Sequence, residues 1–131
     1  MPKLVLAEDD EFSRDMLMRR LTKAGYDVVG AADGQDALRM VREHRPDLIL
    51  MDLDMPVMDG YSATRALKTD PLTFRIPIIV LTAHESPENV QSALEAGCEA
   101  YETKPIVLRR LVERIEELRH LAEGSTHAPS W

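Results

Sequence analysis

Cysteine is nearly absent: Cys98 stands alone among 131 residues, so no internal disulfide can form and a reducing compartment is expected. Basic residues are in deficit. Sixteen Lys and Arg face twenty-three Asp and Glu, giving a net charge of −7, and a nucleic-acid footprint needs a field of the opposite sign. Such a balance favours a protein or a cation as partner. No apolar run approaches the ~18 residues needed to span a bilayer, and nothing has the layout of a secretory signal. The expectation is a cytoplasmic chain. Internal repeats and low-complexity blocks are also missing. What is present is 44% hydrophobic and 30% charged, an ordinary globular composition in one domain, long enough to bury roughly two thirds of its unfolded surface.

Short apolar runs alternate with helical stripes along the chain. Leu4 to Ala7 is a strand-length run ended by Glu8, Asp9, Asp10 and Glu11. Phe12, Met16, Leu17 and Leu21 then recur at helical spacing and stop at Gly25. A second strand covers Tyr26 to Ala32, Asp33-Gly34 breaks it, and Ala37, Leu38 and Val41 mark the inner face of a helix that ends near Pro46. The third run, Leu48 to Met51, is unbroken and passes straight into Asp52, Asp54, Met55, Pro56, Asp59 and Gly60. A helix follows with Ala63, Ala66 and Leu67 inward, up to Asp70-Pro71. Ile76 to Leu81 is a fourth strand, closed by Thr82.

Ser86-Pro87-Glu88 starts the next helix, with a hydroxyl at the N-cap, Pro at the first turn and an acid beside the positive end of the dipole. It carries Val90, Ala93 and Leu94 inward as far as Gly97. A short fifth strand around Cys98 to Glu102 leads to Thr103-Lys104-Pro105. The last helix turns Leu108, Leu111, Val112, Ile115 and Leu118 to one side, leaving Arg109, Glu113, Glu116 and Glu117 outside. Residues 1–123 are expected to form the domain and 124–131 a flexible tail. Five strand–helix units of this length specify an α/β fold with a parallel sheet covered on both faces.

Sites of open α/β sheets lie at the carboxyl ends of the strands. Here those ends bring Glu8-Asp9, Asp52, Thr82 and Lys104 to one edge. Clustered carboxylates repel one another unless a cation sits among them, and an all-oxygen donor set suits a hard ion such as Mg²⁺. Mg²⁺ takes few protein ligands and accepts phosphate oxygens. The ammonium of Lys104 and the hydroxyl of Thr82 then match what a phosphoryl group requires on its other oxygens.

The acidic pair Glu8-Asp9, Asp52 within MDLDMPVMDG, Thr82-Ala83, Tyr101 and Lys104-Pro105, in this order and spacing, resemble the response-regulator receiver domain of two-component signalling. The likeness covers residues 3 to about 120. It implies a flavodoxin-like, doubly wound sheet of five parallel strands in the order 2-1-3-4-5 with five flanking helices. It also implies Asp52 as phospho-acceptor, Mg²⁺ held by Asp9, Asp52 and the backbone carbonyl of Asp54 with Glu8 acting through water, and Thr82 and Lys104 on the phosphoryl oxygens. Tyr101 would be the switch aromatic, and the Lys104-Pro105 bond would be cis. The donor would be a phosphohistidine on a sensor kinase or phosphotransfer protein, or a small acyl phosphate. The surface read downstream would be the fourth helix, fifth strand and fifth helix, with neither nucleic acid nor membrane as direct partner. Such a module catalyses only its own phosphorylation and dephosphorylation.

Other readings compete with these. A haloacid dehalogenase-type phosphatase also uses an Mg²⁺-assisted aspartate, but it places that motif at its first strand and its acidic pair last, the reverse of the order here. An inert module keeping only the fold is a third reading. Asp10, Glu11 and Asp59 are expected to be solvated turn residues, Cys98 a small buried hydrophobe, and His84 a solvated loop residue beside the site. Asp54 and His84 occupy the positions that tune dephosphorylation in the family. A start at Met1 and a short remainder after the last helix suggest a single-domain regulator, the alternative being a receiver excised from a larger hybrid protein.

Overall fold

The computed structural model describes residues 1–122; the expected tail, 124–131, lies outside them. Ten elements alternate strictly: β1 (Lys3–Ala7), α1 (Glu11–Lys23), β2 (Asp27–Ala31), α2 (Gly34–His44), β3 (Leu48–Asp52), α3 (Gly60–Thr69), β4 (Ile78–Thr82), α4 (Pro87–Ala96), β5 (Ala100–Thr103) and α5 (Leu108–Ala122). The five strands form one parallel sheet in the order β2-β1-β3-β4-β5. Both the order and the flanking helices are those expected.

Strand side chains alternate between faces, and the alternation divides the core in two. Val5, Ala7, Ile49, Met51, Ile78 and Val80 pack with residues of α2, α3 and α4. Leu4, Leu6, Leu48, Leu50, Ile79, Leu81 and Ala100 pack with Leu21 of α1 and Leu111, Ile115 and Leu118 of α5. β3 and β4 are buried along their whole length, which is why they read as unbroken apolar runs.

Four local expectations need correction. Phe12 and Met16 point outward, Phe12 being 72% exposed. The inner line of α1 is instead Leu21, Met18, Leu17 and Arg14, spaced three and four residues apart, and a charged residue within that line hides it from a hydrophobicity pattern. Leu94 is half-exposed because small residues, Ala93 and Ala96, make the close approach of α4. β4 starts at Ile78, since the Ile76 N–H closes a turn onto the Thr73 carbonyl and Pro77 has no N–H to offer. β5 likewise starts at Ala100, because the Cys98 N–H is taken by the Ala93 carbonyl at the end of α4.

Asp10 and Asp59 are exposed, as expected, but not idle. Each caps a helix, accepting from the backbone N–H of Ser13 and Ser62 respectively. Cys98 is buried, and burial first, then the nearby Glu99, pushes its thiol up to about 11.

Candidate functional site

Sheet register assembles the site. Ala7 pairs with Met51, so Glu8 and Asp52 emerge side by side one step later. Thr82 pairs with Thr103, and Lys104 follows. Two-residue alternation then sorts the side chains: Glu8 continues the Leu4 and Leu6 face, Asp52 the Leu48 and Leu50 face, and Lys104 the face of Ala100. All three turn to the α1 side, where the Lys104 Nζ stands 2.9 Å from Glu8 Oε1 and 3.2 Å from Asp52 Oδ2. Glu8 and Asp52 are buried, while Asp9 is exposed at the rim.

Glu8, Asp9 and Asp52 each offer a carboxylate oxygen within 4.8 Å of the others. One ammonium does not neutralise three such groups, and the consequences are visible in their protonation. Burial, followed by the adjacent Glu8 carboxylate, pushes Asp52 up to about 7, with Lys104 pulling the other way. Asp9, though exposed, is raised by some loss of solvation and by the adjacent Glu8. For Glu8, burial acts upward but is outweighed by Asp52 and Lys104, which hold it below its ordinary value. Lys104 is raised, the two carboxylates overcoming its desolvation. An acidic oxygen cluster that retains a proton for want of positive charge fits a divalent cation. The backbone N–H of Asp54 faces Asp52 Oδ1 at 3.4 Å.

The loop after β3 must turn back closely over the strand end, and Gly60 permits it. A Cβ there would lie 2.2 Å from the Asp52 carbonyl oxygen and 2.7 Å from the Leu53 Cα. The Gly60 N–H donates to the Leu53 carbonyl at 2.9 Å, fixing the path of the loop past Asp52. The Lys104-Pro105 bond is cis, as expected.

Thr82 and Tyr101 belong to the opposite parity and are not drawn into the charged cluster. The Thr82 hydroxyl donates to the His84 carbonyl at 3.1 Å and accepts from the His84 N–H at 3.0 Å. Tyr101 is half-buried and its hydroxyl donates to Glu85 Oε1 at 3.2 Å. The His84 side chain is exposed. Its carbonyl also accepts from the Asn89 amide at 2.9 Å, and Asn89 Oδ1 accepts from the Tyr61 hydroxyl at 3.2 Å. This relay from Thr82 through α4 to α3 was missed in the sequence, where Asn89 and Tyr61 show no more than helix positions.

The profile of the response regulator receiver domain matches residues 4–116. The chain belongs to this family. Receiver domains are the signalling modules of two-component response regulators, and accepting a phosphoryl group is the family function. Among curated relatives, the polar-differentiation response regulator DivK of Brucella anthropi is 38% identical over 88% of this receiver and 95% of its own length. The transcriptional regulatory protein AfsQ1 of Streptomyces coelicolor is 40% identical; this receiver spans 57% of its length, and a little over half of other transcriptional relatives such as PrrA. Among solved structures, the receiver domain of the sensor histidine kinase PA1611 from Pseudomonas aeruginosa, with magnesium in its active-site cleft, superposes with a TM-score of 0.84. It is 35% identical over 90% of this chain and 97% of that one. Nothing in these likenesses favours a phosphatase. Among the described residues, no helix is long and apolar enough to cross a membrane.

Proposed function

We propose that this receiver accepts a phosphoryl group on Asp52 from a phosphohistidine of a sensor kinase or phosphotransfer protein. The observation that carries the reading is the buried Asp52 carboxylate held 3.2 Å from the Lys104 ammonium, inside a cluster of three carboxylates. Glu8, Asp9, Asp52 and the Asp54 carbonyl are the residues that would hold Mg²⁺. When bound, Mg²⁺ supplies charge screening and coordination of phosphate oxygens.

Asp52 attacks as a carboxylate, and an ionised carboxylate requires no general base. Its oxygen bonds to phosphorus as the phosphorus–nitrogen bond breaks and the electron pair returns to the donor imidazole. Lys104 stays on one face and pairs with the incoming charge. The Thr82 hydroxyl reaches a phosphoryl oxygen only by giving up its bond to the His84 carbonyl. Tyr101 moves into the space released only by leaving Glu85. Those two exchanges alter the surface of α4, β5 and α5, where a cavity of about 370 Å³ lies among Glu85, Tyr101 and Arg114, and a downstream protein reads the change. Water attack on the acyl phosphate resets the domain.

Incubation with radiolabelled acetyl phosphate and Mg²⁺ tests the assignment. The expected result is at most one label per chain, lost with Asp52→Asn and with chelator. Repeated turnover on an unrelated phosphate monoester would instead favour the phosphatase reading.

A further inference from the structure

Arg14 sits on the inner line of α1, facing the sheet where an apolar residue is ordinary. Its Nη1 donates to the backbone carbonyl of Glu8 at 2.8 Å. Glu8 is the first residue beyond β1, and its own N–H donates to the Ala31 carbonyl of β2 at 3.0 Å. The backbone of Glu8 is thus held at both ends, the peptide entering it by β2 and the peptide leading into Asp9 by Arg14. Space for the guanidinium stem comes from Gly30 in the middle of β2, where a Cβ would lie 3.2 Å from Arg14 Cδ, 3.6 Å from its Nε and 2.9 Å from Met18 Sδ. A lone glycine inside a strand marks close approach of another group, and here the approaching groups are the Met18 sulfur and, next to it, the Arg14 stem.

We infer that Arg14 is a positioning residue: seated over Gly30, it fixes the peptide that presents Glu8 and Asp9, and so sets the affinity of the acidic cluster for a divalent cation. The inference rests on the proposed reading of the cluster as an Mg²⁺ site. Its physical basis is that three mutually repelling carboxylates hold cation-ready geometry only if their backbone cannot relax apart. A guanidinium bonded to a neutral carbonyl restrains that backbone without neutralising any of the three carboxylates. Groups that orient metal ligands from behind typically change metal affinity 10- to 100-fold when removed.

Titration of the ¹⁵N-labelled protein with MgCl₂, read on backbone amide shifts, measures the affinity without any phosphorylation. Arg14→Ala is expected to weaken Mg²⁺ binding about tenfold. Gly30→Ala, whose methyl would crowd both the Met18 sulfur and the Arg14 stem, should weaken binding in the same direction while leaving the arginine present. Arg19→Ala, which removes equal charge from an exposed position on α1, should leave the affinity unchanged and so separates placement from net charge. Wild-type affinity in both Arg14→Ala and Gly30→Ala overturns the inference alone. Absence of any Mg²⁺ response in the unmodified protein overturns both it and the reading beneath it. Should Arg14→Ala not fold, Arg14→Lys decides: a loss of threefold or more supports the role of the planar donor, and unaltered affinity refutes it.

Discussion

A carboxyl group buried beside a second carboxylate resists ionisation, and Asp52 reaches about 7 in the folded protein against 3.8 as its ordinary value. Between those two values the native state binds more protons than the unfolded chain. Its contribution is therefore fully present below about pH 4 and is lost as pH rises through 7. Glu8, shifted downward, acts in the reverse sense and at lower pH. Asp52→Asn abolishes the ionisable group, so its melting temperature in the metal-free state should exceed wild type by more at pH 8 than at pH 5. Paired thermal melts check this, and a constant difference would contradict it. The same proton competes with a cation. Mg²⁺ affinity should rise about tenfold per pH unit below 7 and level off above it, as titrations from pH 5.5 to 8.5 would reveal.

At the scale of elements, the loop between β3 and α3 carries backbone strain. Val57 has φ of 66° and its side chain is 79% exposed, so a β-branched residue occupies the left-handed region with little packing in return. Val57→Gly should raise stability by about 1 kcal/mol in denaturant titration, a few degrees in melting temperature. The elements themselves were legible, since unbroken runs such as Leu48 to Met51 and the Ser86-Pro87 helix start each have one physical meaning. Glu8, Asp52 and Lys104 were legible too. Each stands at or just beyond a strand's carboxyl end, and counting back by twos shows that they share a face. Arg14 was not, because a charged residue on an inner helical line looks like an interruption, although Gly30 in mid-strand signalled that something lay over it. Nor was the relay of Thr82, the His84 carbonyl, Asn89 and Tyr61, which depends on a backbone oxygen that no side-chain pattern encodes.

Across the whole molecule, the carboxyl ends of the strands carry the ionisable cluster, and the opposite rim is secured by other means. Lys68 Nζ donates to the Phe74 and Ile76 carbonyls at 3.0 and 2.9 Å and pairs with Glu99 at 2.7 Å. Glu99 in turn accepts from the Ile78 N–H, so the chain entering β4 and the chain entering β5 are tied together. Cys98 lies within this rim, enclosed and with a thiol too weakly acidic to form thiolate at neutral pH. Disulfide-exchange reagents should consume it only in denaturant, which a colorimetric thiol assay would verify. A practical freedom comes with that inertness. Engineered cysteines on α4 or β5 can be derivatised with spin labels or fluorophores while the native sulfur stays silent, so distance measurements across the proposed output face can be made on an otherwise unmodified sequence.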